Sequence, residues 1–308
     1  MGISAYCSHL LRKRPKRISS EQFLAARCSG RSAVESEFLS TFRLRNGVYK
    51  TTMPERLADT DGVVATSLRN AGWRSIRVLD VACSSGVSTA ELHRALQDHG
   101  LEVETIGTDL MLSLTRVEDR LAHFLFMKDA HLLQVEMGEL AIRWPPMRSD
   151  WVLHPAQTLL ATVLKTIRGR ACRACLSAPR PAFQVTTIPL TARLTESVPG
   201  LSLVEEDILH PLPLGRFHFV RAANVLNRGY FGPELLGQMA ACLWARVLVG
   251  GELLVVRTVE SGNQGTLFRR TEAGAQIVDR FGLGSEVEEI VLGRSRPAGP
   301  GLRRGVAS

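Results

Sequence analysis

The spacing of apolar positions changes several times along the chain. From Met53 to Trp73 it is helical, with Pro54 suited to a first turn and Gly72 near the end. Ile76 to Val81 is a continuous apolar run of strand length, the pattern of a strand covered on both faces. Ser88-Thr-Ala-Glu91 has the form of a capping box, and Leu92, Ala95 and Leu96 carry a helix to about His99-Gly100. Leu101 to Thr108 reads as a second strand ending at Asp109. Strand, helix and strand in that order predict a βαβ unit.

More than 90 residues then separate Asp109 from the next clear strand, Leu201 to Val204. One helical crossover needs far fewer, so residues 113–200 are expected to be an inserted cap subdomain. His131 to Trp144 alternates around Gly138 and predicts a hairpin. Pro155 to Ile167 sets Leu159, Leu160, Val163, Leu164 and Ile167 on one helix face, expected to be packed core, with a membrane or partner surface as the alternative. Strands over Leu201–Val204, Phe217–Ala222 and Glu252–Thr258 follow, with a helix from Gly232-Pro233 to Gly250-Gly251 before the last. Thr266–Arg270 and Glu286–Leu292 read as extended, flanking Phe281-Gly-Leu-Gly, with a short helix before that turn. The expected fold is α/β: a doubly wound, Rossmann-like, mostly parallel sheet with an antiparallel C-terminal strand and an insertion between strands two and three.

Charge changes the picture less than its total suggests. Of the net +8, residues 1–31 hold seven basic side chains and one acid, residues 294–308 four basic and no acid, leaving −2 for 32–293. Both ends are expected to be disordered basic tails around a body of 32–293, and a nucleic acid or anionic surface would be met only through them. No stretch has the length and apolarity of a transmembrane segment, and a cytoplasmic protein is expected. Cys172 and Cys175 form a lone CxxC without a second pair, so no metal is expected.

The candidate chemistry lies in Ile76–Leu92. A strand ends in Asp80, a loop of small residues follows (Ala82, Cys83, Ser84, Gly86), and a helix begins. In open α/β sheets such a loop, beyond a strand's carboxyl end, is where ligands bind, against the unpaired N–H groups of the helix start. A dinucleotide site wants GxGxxG, whereas Ala82 and Ser84 stand at Gly-like positions here. Asp80 would repel a phosphate and attract an ammonium, so a nicotinamide-dependent oxidoreductase is disfavoured. Asp109 suits a ribose diol, because one carboxylate can accept two hydroxyl hydrogen bonds. Asp207 suits an adenine amino group, with Ile208 against the ring. These ligand groups together describe S-adenosylmethionine.

On these residues the sequence resembles the class I S-adenosylmethionine-dependent methyltransferases. VLDVACSSG corresponds to the family's first motif, GTDL and EEDIL to its second and third, FHFVRAANVL to its fourth-strand segment, and LVGGELLVVR to its fifth-strand approach. ACSSG and NVLNRGYF are also similar to the chemotaxis-receptor glutamate methyltransferases. The resemblance implies S-adenosyl-L-methionine as cofactor, with Asp80, Ala82, Cys83, Ser84, Gly86, Asp109, Leu110, Asp207, Ile208 and Asn224 around it. It implies methyl transfer to a small-molecule or protein acceptor, with Asn224, Asn227 and Tyr230 as candidates for positioning that acceptor. The catalytic group stays unassigned. His218 stands where the family often has an acid, and Asn224 is followed by Val225-Leu226 rather than Pro-Pro-Tyr, which disfavours methylation of adenine or glutamine nitrogen. The alternative is a binding module that keeps the fold without turnover. The insertion is expected to form a lid over the acceptor pocket, with Trp144, Trp151 and the Leu159–Ile167 face as apolar anchors.

Overall fold

The computed structural model describes residues 18–30, 32–40, 54–178 and 182–295. The elements run α1 (Ser20–Ser29), α2 (Ser32–Ser40), α3 (Ala58–Asn70), β1 (Ser75–Val81), α4 (Val87–Asp98) and β2 (Glu102–Asp109). Next come β3 (Ser113–Glu118), β4 (His123–Phe126), β5 (Leu132–Met137), β6 (Leu140–Arg143), α5 (Arg148–Leu153), α6 (Pro155–Ala174) and β7 (Gln184–Pro189). After a short 3-10 turn at Arg193–Ser197 follow β8 (Leu201–Glu205), β9 (Phe217–Ala223), α7 (Pro233–Ala245), β10 (Val247–Val259), β11 (Gly262–Thr271), β12 (Gly274–Phe281) and α8 (Glu288–Ser295). They divide into two compact units, one of residues 1–52 and 111–193, the other of 53–110 and 194–308.

The second unit holds a seven-stranded sheet in the order β12-β11-β10-β9-β1-β2-β8. Strands β8, β2, β1, β9 and β10 are mutually parallel, and β11 and β12 are antiparallel additions. Apolar clusters lie on both faces, as the continuous run of β1 requires. One joins Leu79, Val81, Val220 and Leu253 to Leu236, Met239 and Leu243 of α7; the other joins Ile76, Val78 and Leu254 to Val64 and Leu68 of α3 and Leu92 and Leu96 of α4.

The C-terminal part differs from the expected one. Two antiparallel strands close the sheet, not one; residues 274–281, expected to include a helix, are β12, and Glu288–Ser295, expected to be extended, is α8. Val287 and Val291 pack four residues apart in the α7 cluster, and the period that matters there is helical. The capping box at Ser88 is not formed either: α4 starts at Gly86, which is left-handed (φ 81°), and no side chain caps it.

The first unit holds an antiparallel five-stranded sheet, β6-β5-β4-β3-β7. One face packs Leu114, Leu125, Leu133 and Ile188 against Phe23 of α1 and Phe38 of α2. The other packs Val117, Phe124, Phe126 and Val135 against Ala161, Leu164 and Cys172 of α6. The expected hairpin around Gly138 is β5–β6, whereas β3, β4 and β7 went unrecognised.

Two further expectations change in this unit. Of the face expected to be core, only Leu164 is buried: Leu159, Leu160, Val163 and Ile167 are 56%, 50%, 42% and 67% exposed, because α6 turns its Thr158–Ala161–Leu164 side to the sheet. The expected tail over 1–31 is a helix where it is described. Phe23 is wholly buried and stacks on Phe38, and Arg27 is buried, paired with Glu35 at 3.1 Å and donating to the Thr191 carbonyl. The other basic residues of that segment, Arg12, Lys13, Arg14, Lys16, Arg17 and Arg31, lie outside the described residues, as do Arg296, Arg303 and Arg304.

Candidate functional site

The carboxyl ends of β1, β2, β8 and β9 meet at one edge of the parallel sheet, and the backbone there is unusual. Among the described residues five non-glycine positions have positive φ, and three of them are Ala82, Ser84 and Asn224, each at 58°. With Gly86 at 81°, the loop after β1 alternates left-handed residues at 82, 84 and 86. Such conformations are strained for residues bearing a Cβ, and they gather at functional sites. Ala82 and Ser84 therefore sit in glycine-like geometry, as their place in the loop suggested.

Across the edge, the Ser84 amide donates to Asp109 Oδ2 at 2.8 Å, and the Cys83 amide to the Thr108 carbonyl at 2.9 Å. These bonds tie the loop to the end of β2. Asp109 is buried, as are Cys83 and Ser85, while Leu110 beyond it is exposed. A Cβ at Gly86 would approach the Leu203 and Thr195 side chains to 2.8 and 2.9 Å, so any larger residue would have to displace them in addition to adopting the strained φ of 81°.

Asp80 is already engaged within the protein. Its two oxygens accept from Arg221 Nε and Nη2, both at 2.8 Å, and Oδ2 also accepts from Thr89 at 2.6 Å. A ligand ammonium at Asp80 would share the carboxylate with a bidentate guanidinium. Arg221 is fully buried; it also donates to Asp61 Oδ1 at 2.9 Å and to the Ser88 carbonyl at 2.7 Å. It thus joins α3, β1 and the first turn of α4 from β9. Burial opposes the guanidinium's charge, but Asp80 and Asp61 outweigh it and push its pKa up. Asp61 is raised to about 6, mainly by burial, with Asp80 adding to the shift and Arg221 opposing it. Sequence reasoning missed both Arg221 and Asp61. The only available signal was a charged residue inside the apolar FVRAA strand.

Asn224 follows β9. Its Oδ1 accepts from the Thr258 amide at 2.9 Å, which fixes the amide orientation and leaves Nδ2 buried with no partner among the described residues. A buried donor without an acceptor is uncommon, and here it stands beside a left-handed backbone. Asn227, by contrast, is a turn residue: Oδ1 accepts from the Gly229 amide at 2.7 Å, and its carbonyl from the Tyr230 and Phe231 amides. Tyr230 is half exposed.

Asp207 closes a local turn by accepting from the Leu209 amide and lying 3.0 Å from His210 Nδ1. Burial resists its ionisation, but those two partners hold the carboxyl below the usual range. Ile208 is half-buried against the α7 cluster. His218 accepts from the Arg77 amide through Nδ1 and sets its ring edge-on to Trp73. Burial and Arg77 push its pKa down, consistent with the neutral acceptor that this bond needs.

Cys172 and Cys175 are buried, and burial pushes the Cys172 thiol up to about 12, away from the thiolate that binds metal. No helix among the described residues is long and apolar enough to cross a membrane.

No family model matches the sequence, and no curated protein matches it. Among solved structures, the chain is similar to CalS10 with bound SAM, an amino pentose methyltransferase from Micromonospora echinaspora involved in calicheamicin biosynthesis, at 16% identity over 70% of this chain and 59% of that one, TM-score 0.31. It is similar to an O-methyltransferase family protein from Burkholderia thailandensis at 13% identity over 79% and 45%, TM-score 0.32. A third is the N-methyltransferase NodS from Bradyrhizobium japonicum WM9 in complex with S-adenosyl-L-homocysteine, at 12% over 68% and 65%, TM-score 0.32. The chain thus spans less than two thirds of the length of each.

Proposed function

We propose that the chain is an S-adenosylmethionine-dependent methyltransferase with its donor site at the carboxyl edge of β1, β2 and β9. The carrying observation is the loop with left-handed Ala82, Ser84 and Gly86, held by its Ser84 amide to the Asp109 carboxylate. A backbone free of bulk beside a helix start, next to a strand-end acid, fits a nucleoside bearing a sulfonium. A carboxylate accepts up to about four hydrogen bonds, so holding Ser84 is compatible with accepting from a ribose diol. Asp207 and Ile208 belong at the adenine end in this reading, and Asn224 Nδ2 supplies a donor to cofactor or acceptor.

The bound cofactor would supply an electrophilic methyl group. The chain's part is to hold the acceptor in line with it and to exclude water. Arg221 contributes indirectly, by fixing Asp80 and the first turn of α4. The acceptor is a small molecule or a protein side chain. The second reading, donor binding without turnover, draws on the satisfied turn role of Asn227, which leaves Asn224 and Tyr230 as the acceptor-facing candidates.

Incubation with methyl-labelled S-adenosylmethionine and a panel of phenols, amines, carboxylates and receptor-type glutamyl peptides tests turnover. Label transfer lost in Asn224→Ala supports the enzyme. Tight donor binding without transfer to any acceptor supports the module.

A further inference from the structure

Helix α6 has two apolar sides and only one is used. Thr158, Ala161, Leu164 and Cys172 are buried toward the antiparallel sheet. Leu159, Val163 and Ile167 recur every four residues on another side with Leu160 beside them, and all four are exposed, as are Trp151 and Val152 of α5. An exposed aliphatic stripe of this length is unusual on a soluble surface and marks an interaction site.

Charge narrows the occupant. From Trp151 to Thr195 the sequence has no acidic residue and six basic ones: Lys165, Arg168, Arg170, Arg173, Arg180 and Arg193. Arg168 is engaged by Asp119, at 2.6 and 2.8 Å, and Lys165 lies over the Trp144 ring. Arg170 and Arg173 are exposed and continue the helix beyond Ile167 in steps of three, and Arg148 is exposed where α5 begins. Aliphatic side chains and a tryptophan flanked by arginines, with the one acid between them, Asp150, buried, match a surface that is apolar within and negative at its boundary. A second copy of this face would bring arginine to arginine.

We propose that the exposed side of α5 and α6 docks the chain onto an anionic lipid surface. The aliphatic stripe enters the acyl boundary, and Arg148, Arg170 and Arg173 meet the headgroups. This differs from the expectation that only the terminal basic segments meet such a surface.

The test is cosedimentation of the full chain with phosphatidylcholine vesicles with and without phosphatidylglycerol. Binding is expected only with the anionic lipid. Arg170→Glu/Arg173→Glu should weaken it at least about thirtyfold, since each basic residue near an anionic surface counts for roughly fivefold. Leu160→Glu/Ile167→Glu should abolish it, and Trp151 emission should shift to the blue on binding and do so no longer in Trp151→Phe. All these side chains are exposed, so the variants should keep the parent's melting temperature. Undiminished binding by both double variants would assign the vesicle contact to the terminal segments and overturn the proposal. So would a wild-type chain that ignores anionic vesicles, or one that dimerises through this face and is made monomeric by Leu160→Glu/Ile167→Glu.

Discussion

Each sheet buries a carboxylate, and the two are accommodated differently. In the parallel sheet Asp80 of β1 shares the buried guanidinium of Arg221 with Asp61 of the covering helix α3. In the antiparallel sheet Glu136 is held by neutral donors: the Ser20 amide and hydroxyl and the Gln134 side-chain amide, with His123 Nδ1 more distant at 4.0 Å. Burial pushes the Glu136 carboxyl up, and those hydrogen bonds only partly restore its ionisation. The ionic cluster lies beneath a strained loop at a sheet edge, where ligands bind in this architecture. The neutral cluster fastens α1, whose start at Ser20 it grips, to β5. The ion cluster in the first case organises a candidate site, and the hydrogen-bonded carboxyl in the second anchors a helix.

Removing Arg221 should have the largest consequence. Arg221→Ala leaves two buried carboxylates without a cation, and about 3–5 kcal/mol of stability should be lost in denaturant unfolding, together with donor binding. Glu136→Ala strands Ser20 and Gln134, and should reduce the stability of the antiparallel unit by about 1–3 kcal/mol. Hydrogen exchange should rise over residues 18–30 while donor affinity stays unchanged. Loss of donor affinity in Glu136→Ala would mean that the two clusters do not have separate roles.

Titration separates the clusters more finely. The Asp61 carboxyl is raised in the fold to about 6 from a reference of 3.8, so its protonated form is favoured by folding. Its contribution is present at low pH and is lost as pH rises through about 6. Stability should therefore rise by roughly 1 kcal/mol between about pH 7.5 and 5, and Asp61→Asn should flatten that slope. Asp119, Asp207 and Glu288, whose carboxyls are held below their usual range, act in the opposite sense only at lower pH. A slope unchanged in Asp61→Asn would place the proton uptake elsewhere.

The same contrast explains what could be read in the sequence. β1 is an apolar run and β2 follows it after a helix, each with an acid at its carboxyl end, and parallel order follows from that alternation. The acids at the strand ends and the small loop were legible for the same reason: the chain marks them locally. Of the antiparallel sheet only the β5–β6 hairpin was legible. β4 has only four residues, and the partner of β3 on one side, β7, is some 70 residues away. The exposed side of α6 misled because periodicity registers an apolar face without saying what covers it. Arg221 was hidden by its two partners, Asp61 and Asp80, which are distant in sequence and meet it only in the fold.

A nucleoside donor site at the end of β2 depends most directly on the Asp109 carboxylate. Calorimetric titration of the full chain with S-adenosylhomocysteine should give one site, and Asp109→Ala, folded as judged by its melting curve, should weaken it by about 1.5–3 kcal/mol, or roughly ten- to a hundredfold. No binding by the wild-type chain, or equal affinity in the variant, would contradict a nucleoside donor site at the end of β2.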